Sequence, residues 1–467
     1  MSLTARAAVA VLLAVCFYGL ALSLAGGLLW LAWADATMGR RVHPKLIIVC
    51  VFAAGVIVWS VFPRIDRFEA PGVLLEPRAH PRFFAVLERV CQKVGQPMPS
   101  EVYLVNEVNA FVAERGGWMG LGSRRVMGVG LPLLGGLDEA ELQSVIAHEL
   151  GHFVGGDTKL GPWIHKTRMA MARAVENLSN TGSLLTYPFV WYTKFFLRIT
   201  QAISRAQEYA ADRVAATVAG VAATASALGK VESLAMLHDA FLHIELSPVV
   251  AKGHAVPLDG GFRQFLGSSI ARKLEAIERP EHEPDPFDSH PPTRERVAAL
   301  RRLDPSAPSD PRDASAPRAS SLLDALPGLE VQLLEHVTGE RLATAAWDDV
   351  GHLVYAADWR ETAARVALPS TALAALRGLR ADAARLGDGE EHRGLDVLTA
   401  SVGVVLVARG FHVEALPGEP LVLRRGDDAF DLRARLAALV DDAAEADWRA
   451  WVARAGLDDV VVGAAAT

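Results

Sequence analysis

Cysteine is scarce in this chain of 467 residues, which contains only three. Cys16 and Cys50 lie inside apolar runs and Cys91 stands alone, so the spacing gives neither a disulfide framework nor a Cys-x-x-Cys zinc site. The cysteines therefore do not indicate whether the protein resides in an oxidising or a reducing compartment. Concentrated positive charge is lacking too, because the 47 lysine and arginine residues are spread along the chain and the net charge is −7. Without a basic stripe, a nucleic-acid partner is not expected.

Charged residues are absent from Ala7 to Ala34 and again from Leu46 to Pro63. At about 1.5 Å per helical residue, the first run exceeds the roughly 30 Å of a bilayer core. It is also too long for the apolar core of a signal peptide, which is the alternative. The two runs therefore predict a hairpin of transmembrane helices, and the lipid bilayer is an expected partner.

The sequence leaves two questions open, namely on which side of the membrane the rest of the chain lies and whether a third apolar segment enters the bilayer. Basic residues in the loop between the two runs slightly favour a cytoplasmic loop, which would place the rest of the chain outside. The segment from Leu184 to Thr193 is uncharged but too short to span, and it is rich in aromatic residues. It is typical of an amphipathic helix at the membrane interface, although a buried core helix is an alternative. A third span is also possible if Lys194 and Arg198 extend their charges to the interface.

The sequence His148-Glu149-Leu150-Gly151-His152 predicts a metal site on a helix. Residues four apart share one helix face, so the two imidazoles can bind one zinc ion. Glu149 is rotated off that line and can take a proton from water activated by the metal. Asp138 and Glu141 form a predicted capping box at the start of this helix.

A second predicted helix carries two carboxylates at the same spacing. Glu208 and Asp212 lie in Ser204-Arg205-Ala206-Gln207-Glu208-Tyr209-Ala210-Ala211-Asp212. The third histidine of a rival zinc pattern is missing, because Thr158 occupies its position. The third ligand is therefore better sought at Glu208, while Asp212 is well spaced to hydrogen bond a zinc-bound histidine.

Two weaker motifs flank these helices. Asn109-Ala110-Phe111 precedes the histidine motif, and it is either an ordinary turn into a strand or an exposed strand edge that pairs with a peptide. His290-Pro291-Pro292 precedes a helical pattern that includes Arg296. The prolines are typical of a helix start. The functional alternative is that His290 or Arg296 stabilises an oxyanion.

These motifs, in this order, resemble the HtpX and CAAX-prenyl-protease family of membrane zinc metallopeptidases over roughly residues 1–303. The resemblance implies zinc ligation by His148, His152 and Glu208, a general base at Glu149, and an outer carboxylate at Asp212. It further implies that Asn109 and Ala110 bind peptide and that His290 and Arg296 line the cleft. One Zn²⁺ per chain and a cytoplasmic active site at the inner cell membrane are expected from the family.

We predict an α+β chain of four parts. These are a membrane anchor over residues 1–69, a mainly helical zincin-type peptidase domain with a small sheet over 70–303, a linker rich in Pro, Ser and Ala over 304–320, and a separate α/β or α+β domain over 321–467. In the last part, residues 403–408 and 421–423 are strand-like and residues 432–452 follow a helical pattern. No catalytic constellation is found there.

The predicted function is that of a membrane-anchored zinc metalloendopeptidase acting on unfolded or membrane proteins, in membrane protein quality control. The alternative is a non-catalytic, zinc-stabilised membrane scaffold that acts through its C-terminal domain. An intact Glu149 argues against the scaffold, because a structural zinc site needs no general base and usually fills its fourth position with a protein ligand.

Overall fold

The computed structural model describes residues 3–38, 41–62, 68–116, 123–154, 161–179, 186–277, 291–307, 316–366, 368–380 and 391–463. It is mostly helical, with small sheets. The chain forms two compact units, of which the first comprises residues 1–232 and 279–324 and the second comprises 233–278 and 325–467. The division into four parts stays a prediction, to which the structure adds that residues 233–278 pack with the C-terminal part of the chain.

The α-helices are α1 (Leu3–Met38), α2 (Pro44–Val61), α3 (Pro81–Val94), α4 (Leu131–Gly136), α5 (Glu139–Gly151), α6 (Gly161–Ser179), α7 (Thr186–Ala219), α8 (Val221–Phe241), α9 (Ser247–Ala251), α10 (Leu258–Leu266), α11 (Ser269–Glu275), α12 (Thr293–Leu303), α13 (Leu326–Thr338), α14 (Trp347–Val350), α15 (Ala356–Arg365), α16 (Glu391–Ala408), α17 (Leu432–Ala437) and α18 (Asp442–Arg454). The strands are β1 (Val73–Leu75), β2 (Glu101–Val105), β3 (Ala110–Arg115), β4 (Arg124–Gly130), β5 (His254–Ala255), β6 (Ala343–Thr344), β7 (Thr371–Ala372), β8 (His412–Glu414), β9 (Val422–Arg425), β10 (Asp428–Asp431) and β11 (Val461–Val462). Short π-helices cover Leu242–Leu246 and Gly351–Tyr355, and 3₁₀ turns cover Ala319–Leu322, Leu373–Ala375 and Ala438–Val440.

Among the described residues, three helical stretches are long and apolar enough to cross a membrane, namely Val11–Met38, Pro44–Val61 and Val221–Ala251. The first two match the predicted hairpin. On α1 the buried side chains Ala14, Phe17 and Ala21 recur every three or four residues, so one narrow stripe packs inward. Leucine and tryptophan side chains on the other faces of α1 are exposed, which suits contact with lipid. The third stretch was not predicted from the sequence.

The aromatic segment near residue 190 is the start of α7, a single helix of 34 residues. Phe189 and Phe196 are fully buried in a cluster with side chains of α1, α2 and α6. The Tyr192 hydroxyl donates to the backbone oxygen of Leu13 at 2.5 Å, while Trp191 on the opposite face is 77% exposed. The segment therefore has one face packed in the first unit and one outward aromatic face. Leu184 itself lies outside the described residues.

A four-stranded sheet of order β1-β2-β4-β3 lies in the first unit. Strand β2 runs parallel to β4, and β3 pairs antiparallel with β4. Within the described ranges, β3 has a strand on one side only, which makes it the edge of the sheet. Asn109 immediately precedes the edge strand.

The second unit combines helices with small sheets, of which the largest is the antiparallel β10-β9-β8. Its core includes Trp448, Leu398 and Leu406. The strand predicted at residues 403–408 is wrong, because these residues end α16. A Cβ at Gly403 would lie 2.3 Å from the Trp359 ring of α15, so glycine lets the two helices pack closely. The strand predicted at 421–423 overlaps β9, and the helical pattern over 432–452 is divided between α17 and α18 by a 3₁₀ turn.

Candidate metal centre

Helix α5 begins with the predicted capping box. The Asp138 carboxylate accepts from the Glu141 N–H at 2.8 Å, and the Glu141 carboxylate accepts from the Asp138 N–H at 3.0 Å. Glu141 is fully buried and also meets the Lys230 ammonium at 2.8 Å and the Ser226 hydroxyl at 2.5 Å, both on α8. Burial would raise the pKa of Glu141, but these donors hold it below its usual value. One charged group thus fixes both the start of α5 and its contact with α8.

The opposite end of α5 packs closely on α7. A Cβ at Gly151 would lie 3.1 Å from the Cα of Ala211, tighter than an ordinary van der Waals contact. The glycine inside the histidine motif therefore allows α7 to approach the helix that carries the histidines. This approach brings Glu208 and Asp212, one turn apart on α7, against His148.

His148, His152 and Glu208 form the one group in the described chain whose ligand atoms could hold a metal ion, with all of these atoms within 4.8 Å of one another. The Glu208 carboxylate lies 3.6 Å from Nε2 of His148 and 3.7 Å from Nε2 of His152. Two imidazoles and one carboxylate are a donor set typical of catalytic zinc, which keeps its fourth position open. The residues present therefore fit the predicted ion.

Asp212 lies behind His148, with its Oδ1 atom 3.1 Å from Nδ1 of the ring. Burial alone would lower the pKa of His148, but the contacts with Asp212 and Glu208 raise it to about 9. A zinc ligand must be neutral at the binding nitrogen. Metal binding at this group therefore competes with a proton and displaces it.

Arg296 of α12 is buried and faces the carboxylates. Its Nε atom donates to Oδ2 of Asp212 at 2.9 Å and its Nη2 atom donates to Oδ1 at 2.6 Å. Its Nη1 atom lies 3.4 Å from Glu208. Burial would raise the pKa of Asp212, but the bonds from Arg296 and His148 hold it low. The arginine thus places one positive charge against both carboxylates beside the histidines.

Two of the three candidate ligands, His148 and Glu208, line a cavity of about 340 Å³. Its lining includes Asn109 and Ala110 at the start of the edge strand, together with Glu149, Glu208 and Arg296. The structure therefore brings together every predicted site residue that it describes. A larger cavity of about 650 Å³, lined by side chains of α7 and α12, lies on the side of His152. The predicted site residue His290 lies outside the described residues.

Comparisons with known proteins match this site and its surroundings. Residues 77–304 match the family model "Peptidase family M48". The Protease HtpX homolog of Acidiphilium cryptum (strain JF-5) is 32% identical over 245 residues, which cover 48% of this chain and 75% of that protein. This chain belongs to peptidase family M48. It is also similar to the Protease HtpX homologs of Methylibium petroleiphilum, at 30% identity over 48% of this chain and 75% of the relative, and Ralstonia pickettii, at 29% over 48% and 74%. No solved structure matches it significantly.

As an HtpX-like M48 peptidase, the chain is a protease of a zinc metalloprotease family, with apolar helices that indicate an integral membrane protein. The matched region includes the three residues able to hold a metal. It ends at residue 304, so the C-terminal part of the second unit lies beyond it.

Sequence reasoning missed the contribution of α8 to this M48 site. Thr224, Ala227, Leu228 and Val231 line the cavity from one face of the helix. Their spacing of i, i+3, i+4 and i+7 marked that face in the sequence. Lys230 on the same helix was a second signal, because an ammonium held partly out of water favours a carboxylate partner.

Proposed function

We propose that this M48 chain is a membrane-anchored zinc endopeptidase with Glu149 as its general base. The observation that carries the proposal is the grouping of His148, His152 and Glu208 beside an open cavity, whose lining includes His148, Glu208 and Glu149. A structural zinc site would fill its fourth position, whereas this one faces open space.

The chemistry follows from the positions of the ligands and the base. Zinc bound by His148, His152 and Glu208 would lower the pKa of water toward about 7 and polarise the peptide carbonyl. Glu149 accepts a proton from the attacking water, whose oxygen bonds to the carbonyl carbon. The carbon–nitrogen bond then breaks, and Glu149 passes the proton to the leaving amine, which regenerates the carboxylate. The products are one carboxylic acid and one amine for each water consumed.

The edge strand supplies a way to hold an extended peptide. An unpaired edge presents backbone N–H and C=O groups that recognise the peptide main chain with little regard to its sequence. Asn109 is exposed at the start of β3 and Ala110 begins the pairing with β4. Both line the cavity, which supports their role in substrate binding.

Asp212 and Arg296 act through the ligands in this proposal. Asp212 orients His148, and the two-point contact of Arg296 with Asp212 supports a positioning role for the arginine more than direct contact with an oxyanion. Oxyanion stabilisation stays assigned to His290 as a prediction.

The physiological substrates we propose are unfolded or membrane proteins, cleaved in quality control at the inner cell membrane. An edge strand that reads backbone suits extended chains of varied sequence, and the two N-terminal apolar helices keep the site at the bilayer. Placement of the active site on the cytoplasmic side rests on the family resemblance.

The test is Glu149→Gln in the purified, zinc-loaded full-length protein. The amide cannot accept the proton while the ligands are untouched, so zinc content should stay the same and cleavage of an unfolded model protein should fall by about 100-fold or more. Glu139→Gln, at the half-buried start of the same helix and away from the candidate ligands, is the matched control and should cleave normally. Near wild-type cleavage by Glu149→Gln contradicts the general base. A zinc-loaded wild type that cleaves nothing favours the non-catalytic scaffold.

A further inference from the structure

An arginine of α6, outside the metal group, is held partly out of water without an acidic partner. The Nη2 atom of Arg168 donates to Oγ1 of Thr200 at 2.9 Å and to Oγ of Ser204 at 3.1 Å, both on α7. Its Nε atom is buried and has no hydrogen-bond partner in the part of the chain that the structure describes. Burial lowers the pKa of Arg168, and no carboxylate among the same residues opposes this shift. A desolvated charge without a counter-charge is costly, so an anion bound here would stabilise the site.

The two hydroxyl groups orient this guanidinium but cannot neutralise it. Thr200 is buried, and its own hydroxyl donates to the backbone oxygen of Phe196 at 2.9 Å. Ser204 is half-buried, and within the described residues its hydroxyl accepts from Arg168. The Ser204 hydrogen is therefore able to donate to a ligand beside the guanidinium.

Arg168 lies where the membrane hairpin meets the rest of the first unit. On α7, its two hydroxyl partners come between Phe196, which is buried in the cluster with α1 and α2, and the candidate metal ligand Glu208. Further along α6, Arg173 donates to the backbone oxygen of Ser60 at 3.4 Å, in the last turn of α2. The guanidinium is therefore near the end of a candidate span, where phospholipid headgroups begin.

The outward face of α7 beside this site suits the same interface. Trp191, Lys194, Phe195 and Arg198 are exposed, and their spacing of i, i+3, i+4 and i+7 places them on one face. Aromatic rings and basic side chains together are typical of helices at the headgroup level. Between positions 161 and 207 the sequence has six basic residues and one acidic residue, whereas the whole chain has a net charge of −7. The local charge therefore attracts anionic lipid.

We propose that Arg168 and Ser204 bind the phosphate of an anionic phospholipid at the end of the membrane hairpin. A guanidinium donates charge-assisted hydrogen bonds to phosphate oxygens, and basic pockets between membrane helices bind anionic headgroups. A lipid is favoured over a soluble anion, because its acyl chains can lie along the exposed apolar faces of α1 and α2. The site lies apart from the metal group and holds the first unit at the bilayer surface.

The experiment is native mass spectrometry of the zinc-loaded full-length protein in an uncharged detergent, titrated with phosphatidylglycerol. Wild type should retain one phosphatidylglycerol per chain. Arg168→Gln should bind it about 20-fold more weakly, because hydrogen bonds from a charged donor are lost. Arg168→Lys keeps the positive charge and should retain the lipid. Phosphatidylcholine, which has a phosphate but no net charge, and inorganic phosphate are the comparison ligands and should bind more weakly than phosphatidylglycerol.

Arg198→Gln is the matched control, since it removes the same charge from an exposed position on α7. It should weaken lipid binding by at most about threefold. Ser204→Asp separates loss of the site from misfolding. It places a carboxylate beside the guanidinium, so this variant should melt at a higher temperature than wild type and yet lose the lipid. If Arg168→Gln fails to retain zinc, Ser204→Asp decides the question.

Unchanged lipid binding by a zinc-loaded Arg168→Gln, or by Ser204→Asp, overturns the proposal. An equal loss in Arg198→Gln also overturns it, because general positive charge would then account for the binding. Inorganic phosphate that binds as tightly as phosphatidylglycerol overturns the assignment to lipid. If Arg168→Gln keeps the lipid but raises KM for peptides that end in a free carboxylate, the anion is the substrate terminus and the proposal is wrong.

Discussion

Removal of the guanidinium from Arg296 is the perturbation whose size follows most directly from the structure. Arg296→Met keeps much of the buried stem but leaves Asp212, whose side chain is 3% exposed, without its two-point partner. Breaking a buried ion pair from one side costs about 3–5 kcal/mol, because a charge stays in the interior unpaired. His148, at 3.1 Å from Asp212, can offset part of this cost when it is protonated, so the lower end of the range is expected.

The assay is thermal unfolding of the detergent-solubilised protein with the metal chelated. A loss of about 3 kcal/mol should lower Tm by roughly 6–12 °C for a unit of this size. Asp212→Asn completes a double-mutant cycle. Because the second change removes the charge that the first leaves buried, the double variant should be at least about 1 kcal/mol more stable than the sum of the two single losses. Zinc affinity of Arg296→Met should fall by about 10- to 100-fold, as for other groups that orient ligands.

The control is Arg301→Met, an exposed arginine on the same helix, whose stability should stay within about 0.5 kcal/mol of wild type. A Tm for Arg296→Met within about 1–2 °C of wild type would contradict this prediction, as would a double-mutant cycle whose two stability losses simply add. Either result would mean that water already reaches Asp212 and that the arginine does not position it.

Three further predictions concern the metal, the membrane and the second unit. Glu208→Ala should lose most bound zinc, whereas Asp212→Asn should bind it about 10- to 100-fold more weakly; equal zinc content in Glu208→Ala and wild type contradicts the third ligand. Deletion of residues 1–66 should leave salt-sensitive binding to anionic liposomes in a flotation assay. The remaining aromatic segment offers apolar area to the interface, and Lys194 and Arg198 are attracted to anionic lipid. A truncated protein that stays soluble with liposomes at low salt makes this segment a core helix, and one that only detergent extracts makes it a span. In the second unit, burial raises the pKa of the Glu330 carboxyl from its ordinary value of 4.5 to about 7. The folded state therefore holds a proton on Glu330 at pH values where the unfolded chain has lost it. The contribution of this group to the free energy of unfolding is fully present below pH 4.5 and is lost as the pH rises through 7. The loss is about 3 kcal/mol. Glu330→Gln, which can still accept from the Asp259 N–H, should be more stable than wild type by about that amount at pH 8 and unchanged at pH 4 in denaturant unfolding; equal stability at pH 8 refutes the shift.

Local chemistry made parts of the site predictable. The capping box of Asp138 and Glu141 depends on residues three apart, and the shared face of His148 and His152 depends on one helical turn. Both can be read from sequence because the helix itself sets the distances. The two apolar N-terminal runs were predictable for a similar reason, since length and hydropathy alone define a candidate span.

Contacts between distant residues were not predictable from the pattern. Arg296 was expected to line the cleft, and it does line the cavity, but its two-point contact with Asp212 joins residues 84 positions apart. The sequence pattern also did not predict that one face of α8 lines the cavity. Nor did it predict that residues 233–278 pack with the C-terminal part of the chain. The strand predicted at residues 403–408 was wrong for a different reason. A run of valines favours a strand, and the close contact of Gly403 with Trp359 that accompanies the helix cannot be read from the sequence.

The contact between Asp212 and Arg296 joins residues that are synthesised at different times. At about 5–20 residues per second, the guanidinium leaves the ribosome roughly 4–17 s after the carboxylate that it neutralises. By then all three candidate metal ligands have been made, as has the whole of α8. The nascent site therefore carries the charges of Glu208 and Asp212 before their arginine exists, and protonated His148 is the cation already at hand. Residues 233–278, which belong to the other unit, are made in the interval, so the first unit closes only after the second has begun.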